Sequence, residues 1–347
     1  MAARENIQEL DLARVVSMLA VIMIHVSAPY INAPSGGTVL GMNLAFILNQ
    51  LTRFAVPLFV LLSGVSLGFS SSISSPLTFY KKRAVKIGLP YLVWFFVYYA
   101  YNLTHGGSFS GVGRLVQALL QGQGAPHLYF IIIVLQFYLL YPLLRKWTEK
   151  APAAAALLAF LCSYAVQELF VLRRSGVDLI PGAIRPYLWL LFPTWAVYFV
   201  GGMVLTRPRL EQVRAFAAGH PWTVLGATAV FAGIFVVESK ALNALDSIKT
   251  PLNLYTVLAL LSAFSLWRLV GGFRWVQKLV RFLSAHAMTV YFCHVLVVYQ
   301  LQKYPVFLRG MSGMLALYVC VTVLSILLAF LLDTAGSWVF GRRGAAR

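Results

Sequence analysis

The sequence predicts an all-α protein, a polytopic transmembrane helix bundle. Hydrophobic residues make up 60% of the 347 residues and charged residues only 11%, and the mean hydropathy is +0.79. A soluble domain of this length could not cover its surface with so few polar side chains. The apolar runs are continuous over about 20 residues, the length that a membrane-spanning helix requires.

About ten apolar runs are long enough to be spans. They lie at 12–32, 41–68, 87–104, 127–144, 152–172, 186–205, 221–238, 252–270, 283–301 and 312–333. The second run contains Arg53 and Pro57, so we expect it to be tilted, kinked or broken. Because no polar stretch is long enough to form a separate soluble domain, we expect 1–347 to be a single integral-membrane domain.

The basic residues predict the orientation of the chain. With the N-terminus in the cytoplasm, the cytoplasmic segments hold 18 Lys and Arg residues and the opposite loops hold 8. This excess follows the positive-inside rule and places both termini in the cytoplasm. Topology and attraction to anionic lipids then explain the net charge of +18. Because no basic domain stands outside the membrane, we expect no nucleic-acid partner.

Two ionisable residues, Arg14 and His25, lie in the first predicted span. They are eleven residues apart, so they share nearly the same helix face and lie about 16 Å apart along the axis. Intramembrane ionisable groups are costly and are therefore candidates for a functional site. Arg14 could instead be an interfacial anchor that pairs with Asp11, and His25 could be a packed histidine. As a functional group, a neutral His25 can take a proton from a hydroxyl.

Three further polar residues fall in or beside predicted spans. Arg53 lies near the middle of the second span, where a permanent charge needs an acceptor, water or a bound anion. No acidic residue lies in the middle of a span, so we expect Arg53 to face a ligand or a cavity. His127 begins the fourth span near the predicted depth of His25, as a site residue or as an interfacial one. His294 has a comparable depth in the ninth span, where a catalytic and a structural role are equally open.

A basic run, Tyr80-Lys-Lys-Arg-Ala-Val-Lys, precedes the third predicted span. Its charges either set the topology or capture phosphate groups, for which arginine offers a two-pronged donor and lysine a point charge. Lys82, Arg83 and Lys86 are therefore candidate phosphate-binding residues. We expect no metal site, because the histidines lack carboxylate companions at a suitable spacing.

The order of these residues resembles the membrane-bound acyltransferase-3 family over nearly the whole chain. The shared features are Arg14 and His25 in the first span, the basic run ahead of an aromatic span, and four short motifs. The motifs are Val-Pro-Leu-Phe-x-x-x-Ser-Gly at 56–64, His127-Leu-Tyr-Phe, Tyr198-Phe-Val-Gly-Gly and Tyr291-x-x-His294. The joint order carries the resemblance. Within the family, the chain looks most like the stand-alone group that O-acetylates enterobacterial common antigen.

The resemblance implies the reaction and its substrates. An acyl group, usually acetyl, would pass from cytoplasmic acyl-CoA to a carbohydrate or lipid-linked glycan acceptor in a prokaryotic plasma membrane. Acyl-CoA, with acetyl-CoA as the usual form, would be a donor substrate, and the resemblance implies no permanently bound cofactor.

The resemblance also implies roles for individual residues. His25 matches the family's essential histidine, as general base or acyl carrier, and Arg14 matches its arginine. We expect Arg53 or His127 to stabilise an oxyanion or to position the acceptor. The candidate contacts of the CoA phosphates are Lys82, Arg83, Lys86 and Arg14. The family often has two arginines three residues apart, whereas here the second position is Lys86, which lacks the bidentate fork.

Other classes of function stay open from the residues alone. Many spans with isolated intramembrane charges also suit a proton-coupled transporter or a flippase, although the sequence lacks a mid-span Asp or Glu and a visible internal repeat. A non-catalytic scaffold would tolerate Arg53→Leu. Acyl-CoA turnover by the purified protein separates an enzyme from both. Membrane lipids are partners in every case, and a homo-oligomer is compatible with the sequence.

Overall fold

The computed structural model describes residues 7–32, 41–69 and 75–341. In these residues all regular elements are helices, which confirms the all-α prediction. The α-helices are α1 (Gln8–Ser27), α2 (Leu44–Leu51), α3 (Ala55–Gly68), α4 (Pro76–Arg83), α5 (Leu89–Thr104), α6 (Val112–Gln121), α7 (Tyr129–Lys150), α8 (Pro152–Arg174), α9 (Phe192–Val204), α10 (Arg207–Gly219), α11 (Pro221–Ala241), α12 (Pro251–Val270), α13 (Arg274–Leu301) and α14 (Gly310–Gly341). A π-helical segment, Ala84–Gly88, joins α4 to α5.

Nine helical stretches of the described residues are long and apolar enough to cross a membrane. They are Gln8–Tyr30, Leu44–Gly68, Pro76–Thr104, Tyr129–Lys150, Pro152–Arg174, Pro221–Ala241, Pro251–Val270, Arg274–Leu301 and Gly310–Gly336. The protein is thus an integral membrane protein with many spans, as predicted.

The predicted span at 186–205 differs from the structure. Only α9, with 13 residues, forms there, and it extends about 20 Å, short of a hydrocarbon core of about 30 Å. Pro186 and Pro193 interrupt the apolar run, and proline is tolerated only in the first turn of a helix. The described residues therefore form nine candidate spans where the sequence predicted about ten.

The third candidate span begins earlier than predicted. α4, the π-helical segment and α5 are continuous from Pro76 to Thr104. The basic run therefore lies within a helical stretch rather than in a connecting loop.

The chain divides into two compact units. The first unit comprises the described parts of Met1–Ala55, Phe216–Leu245 and Val257–Arg347, and the second comprises those of Val56–Ala215 and Asp246–Thr256. The single domain over 1–347 stays a prediction. The cytoplasmic position of both termini also stays a prediction, and it requires an even number of spans, with the short α9 counted as the tenth. Four terminal basic residues that contribute to that orientation lie outside the described residues: Arg4, Arg342, Arg343 and Arg347.

The second candidate span is broken, as its Arg53 and Pro57 predicted. A turn at 52–54 separates α2 from α3. Pro57 has no N–H group, so the carbonyl of Arg53, four residues earlier, loses its regular helical partner. The Thr52 hydroxyl also donates to two carbonyl oxygens in the last turn of α2, at 2.8 and 3.0 Å, and such bonds compete with the helix ladder. The break places Arg53 in a turn.

Small residues bring α3 and α9 together in the second unit. A Cβ atom added at Gly64 would collide with the Phe199 carbonyl oxygen, and one added at Gly202 would collide with the Leu61 carbonyl oxygen. The two backbones are therefore nearly in contact. Lipid tails are as apolar as these side chains, so membrane helices gain little from the hydrophobic effect when they associate. Close packing of this kind is therefore a main source of their association.

We predict that Gly202→Ala destabilises the protein by about 1–3 kcal/mol, because overpacking forces the two backbones apart. The measurement is thermal unfolding of the purified protein in detergent. Gly201→Ala is the matched control, since a Cβ atom there meets nothing within 4 Å, and alanine favours helix formation. Equal stability of the two variants would show that the α3–α9 contact is not tight in the protein.

Candidate active site

α1 and α13 run parallel and in step in the first unit. Near one end, Arg14 Nη1 donates to Ser284 Oγ at 2.9 Å. Further along, the ring centroids of His25 and His294 are 5.3 Å apart. Eleven residues along α1 thus match ten along α13, and the two contacts are about 15 Å apart. The structure therefore places His294 beside His25, as their similar predicted depths suggested.

The two histidines differ in accessibility and hydrogen bonding. His25 is partly accessible, whereas His294 is fully buried. The Nδ1 atom of His294 lies 2.8 Å from the Tyr291 carbonyl oxygen and 3.2 Å from that of Val290. Because a carbonyl oxygen only accepts, Nδ1 carries the proton and Nε2 carries the lone pair. The pair therefore consists of a partly accessible imidazole, His25, and a buried imidazole, His294, whose hydrogen bonds fix its tautomer.

Arg53 is tied to the backbone beside His25 through one buried amide, that of Asn49. The guanidinium donates to Asn49 Oδ1 from Nε at 3.0 Å and also from Nη2. The amide nitrogen of Asn49 donates in turn to the Ile24 carbonyl oxygen and to Ser27 Oγ, both at 3.0 Å. An amide oxygen carries no net charge, so this contact orients the guanidinium without neutralising it.

Arg14 contacts a carboxylate, as the anchor interpretation predicted. Its Nη1 atom lies 2.6 Å from Asp11 Oδ1, and Ser284 Oγ donates to the same oxygen at 2.7 Å. The three side chains thus link α1 to α13. The Arg14 side chain is still 32% exposed, so it can also reach a ligand. Its proposed contact with a CoA phosphate stays a prediction.

The basic run lies in the second unit, where Arg83 is held between aromatic rings. Its Cζ atom is 5.3 Å from the Phe79 ring centroid and 5.1 Å from that of Tyr138. Such cation–π contacts fix a guanidinium without using its N–H donors. Lys82 and Lys86 are exposed. The π-helical segment begins directly after Arg83, and π-helical turns are frequent at functional sites.

His127 lies in the second unit, in the turn that precedes α7. It is only 2% exposed, and its ring packs edge-on against Tyr98 with centroids 5.3 Å apart. The side chain is thus enclosed by protein rather than presented at an open interface. Its contact with an acceptor stays a prediction.

The predicted site residues therefore fall into two groups. The first unit contains Arg14, His25 and Arg53, and the second contains Lys82, Arg83, Lys86 and His127. Sequence reasoning missed Asn49, which links Arg53 to the α1 backbone next to His25. Its signal was its spacing, because residues four apart face one another in a continuous helix, and Asn49 still reaches Arg53 although α2 ends at Leu51.

The sequence model of the family described as an acyltransferase domain matches residues 7–334. The chain belongs to the acyltransferase-3 family. It is therefore a membrane-bound acyltransferase. One relative is the putative membrane-bound acyltransferase YfiQ of Bacillus subtilis (strain 168), which is 23% identical over 294 residues, covering 83% of this chain and 80% of the relative. No solved structure matches the chain significantly.

We predict that Asn49→Leu in this acyltransferase lowers stability by about 2–4 kcal/mol, since it removes an acceptor from Arg53 and a donor from two buried oxygens. Thermal unfolding in detergent measures this loss. Asn102→Leu is the control, because Asn102 is exposed and donates to Gly124 at 3.2 Å. If both substitutions had the same small effect, the Asn49 network would not hold the site together.

Proposed function

We propose that this membrane-bound acyltransferase moves an acetyl group from cytoplasmic acetyl-CoA to a hydroxyl of a carbohydrate or lipid-linked glycan in a prokaryotic plasma membrane. Surface glycans such as enterobacterial common antigen represent the acceptor class. The observation that carries the proposal is the pairing of His25 with His294, next to the Arg53 network, in a chain of this family. The family assignment favours this enzyme over a transporter or flippase.

The donor is held by its phosphates and by its extended arm. Lys82, Arg83 and Lys86 receive the CoA phosphates, with Arg14 as a further contact on the predicted cytoplasmic side. Arg83 offers a bidentate donor and the lysines offer point charges. The pantetheine arm then spans much of the roughly 16 Å from the depth of Arg14 to that of His25, and presents the thioester to the histidine pair.

The chemical step is base-catalysed acyl transfer. His25 accepts the proton of the acceptor hydroxyl, and the oxygen attacks the thioester carbonyl carbon to form the new C–O bond. The carbonyl oxygen becomes an oxyanion, which the Arg53 guanidinium stabilises. The C–S bond then breaks, and the departing CoA thiolate takes the proton back from His25. Base catalysis of this kind contributes about 10²–10⁴-fold.

His294 is a positioning residue in this scheme. Its fixed lone pair at Nε2 lies in a ring next to His25, and it stabilises the imidazolium that forms there. A relay through an acetyl-His25 intermediate uses the same residues. The two routes differ in kinetics, because direct transfer needs both substrates bound together, whereas a relay admits them in turn.

We predict that His25→Ala lowers acetyl transfer from radiolabelled acetyl-CoA by about 10²–10⁴-fold, because the general base or acyl carrier is lost. The assay uses membranes at matched expression, and the labelled lipid or glycan identifies the acceptor. Equal transfer by the wild type and the variant would exclude His25 from the chemistry.

His294 variants provide the accompanying control. His294→Leu should lower kcat and leave KM for acetyl-CoA unchanged, and His294→Gln, which keeps an acceptor, should restore part of kcat. A purely structural His294 would instead reduce the yield of folded protein in both variants without changing kcat per folded molecule.

The donor contacts give a separate prediction. Arg83→Gln together with Lys86→Gln should raise KM for acetyl-CoA by about tenfold or more with little change in kcat, because charged hydrogen bonds to the phosphates are lost. Lys81→Gln is the control, since Lys81 lies in the same run and is exposed but has no role in the scheme. An equal rise in KM for Lys81→Gln would show that the run attracts the donor through its overall positive charge and not through specific contacts of Arg83 and Lys86.

A further inference from the structure

The second unit contains a cavity of about 700 Å³ that none of the steps above uses. Its volume is within the range of about 300–1,000 Å³ that is typical of small-molecule sites. The cavity lies where α8 ends and α12 begins, and the connection from α8 to α9 contributes to it. Its lining includes Arg173, Arg174, Arg185, Phe170, Trp189 and Asp246.

The cavity carries more positive than negative charge. Arg174 Nη2 pairs with Asp246 Oδ2 at 2.5 Å. Arg173 and Arg185 share one carboxylate oxygen, Asp178 Oδ2, at 3.6 and 3.2 Å. Three guanidinium groups thus meet two carboxylates in this cluster, which leaves one positive charge for a ligand.

The arginines also have hydrogen-bond donors to offer. A guanidinium carries five N–H donors, whereas the Asp178 contacts of Arg173 and Arg185 use one nitrogen atom of each. Arg185 Nη2 also donates to the Ile180 carbonyl oxygen at 3.0 Å, and the Nε atom of Arg185 is buried, so its Nη1 atom is the donor that remains for a ligand. The two side chains are 47% and 40% exposed, so a molecule in the cavity can reach them.

An aromatic wall completes the cavity. The indole N–H of Trp189 donates to the Pro186 carbonyl oxygen at 2.8 Å, and Tyr129 packs edge-on against the indole at 5.1 Å. These contacts fix the ring. A flat aromatic side chain packs against the C–H face of a pyranose, and guanidinium groups bind carboxylate and phosphate bidentately. The combination suits a sugar with a negative charge.

The position of the cavity suits the acceptor rather than the donor. Trp189 contacts Tyr129 at the start of α7, whereas Arg83 contacts Tyr138. These positions are nine residues apart, or about 14 Å along α7. This cavity and the basic run therefore lie at different levels of α7. With the N-terminus in the cytoplasm, as the sequence predicts, five candidate spans precede the cavity and put it on the outer side.

We propose that this cavity binds an anionic sugar residue, carrying a carboxylate or a phosphate, of the glycan acceptor. The proposal rests on the proposed function for its biological meaning. The structural argument for the site depends only on the arginines, Asp178 and Trp189.

The experiment measures binding to the purified full chain in detergent, without any acyl donor. Trigalacturonate and glucose 1-phosphate are the charged probes, and maltotriose is the neutral one. The charged probes should bind more tightly than maltotriose, and their binding should weaken as salt is added. Arg173→Gln with Arg185→Gln should weaken trigalacturonate binding by about tenfold or more. Arg114→Gln, an exposed arginine of α6, should change nothing.

Asp178→Asn provides a test that a folding defect cannot imitate. It removes the internal counter-charge but keeps an oxygen for the Ile180 N–H, which Asp178 Oδ1 accepts at 3.1 Å. It should therefore tighten binding of trigalacturonate a few-fold. Unchanged binding in this variant and in the arginine variant would overturn the proposal, as would equal affinity for charged and neutral saccharides.

Two further outcomes distinguish a sugar site from a lipid site, and the sugar site from the mechanism at His25. If the arginine variants instead lose retention of phosphatidylglycerol in nanodiscs and bind trigalacturonate normally, the cavity is a lipid headgroup site and the proposal fails. If the charged saccharides bind through these arginines but His25→Ala leaves acyl transfer unchanged, the binding site stands and the mechanism proposed for His25 fails.

Discussion

The amide of Asn49 is the contact on which the polar centre of the first unit depends. It accepts from Arg53 and donates to the Ile24 carbonyl oxygen and Ser27. Inside an apolar helix bundle, bulk water does not replace a lost hydrogen bond. The Asn49 amide has a donor end and an acceptor end, so it can hold the Arg53 guanidinium beside α1, the helix that carries His25. A carboxylate at this position would add a negative charge beside the guanidinium, whereas the amide oxygen orients the guanidinium without adding a charge.

The parallel packing of α1 and α13 places polar contacts at two levels along the same pair of helices. Two pairs of side chains, one with Arg14 and one with His25, mark levels about 15 Å apart on the same two helices. In the proposed mechanism the reaction follows a path between these two levels, with charge capture at the first and proton transfer at the second. The second unit repeats this separation on α7, where Arg83 and the arginine cavity occupy different levels.

The sequence predicted what local composition determines and missed what tertiary contacts determine. Apolar run length gave nearly all the spans, and Pro57 with Arg53 predicted the break in the second one. Run length overestimated the helix at 186–205, because hydropathy takes no account of Pro186 and Pro193, which shorten α9. The sequence predicted a comparable depth for His294 and His25, but only the packing of α1 against α13 brings their rings together. The hydrogen-bond contact between His286 Nδ1 and Asp333 Oδ2, at 2.6 Å, joins residues too far apart in the chain for any spacing rule.

The π-helical segment Ala84–Gly88 has a consequence for how the basic run can vary. A π-helical turn holds more residues than an α-helical one, so losing one residue there would restore a regular helix. The wide turn takes up its extra residue locally, so α4 and α5 would keep facing the same neighbours after the loss, and Arg83 would stay beside Phe79 and Tyr138. A gain or loss of one residue in a regular part of the span would instead turn one end against the other by about 100°. The segment is thus the point at which this span tolerates a change of length.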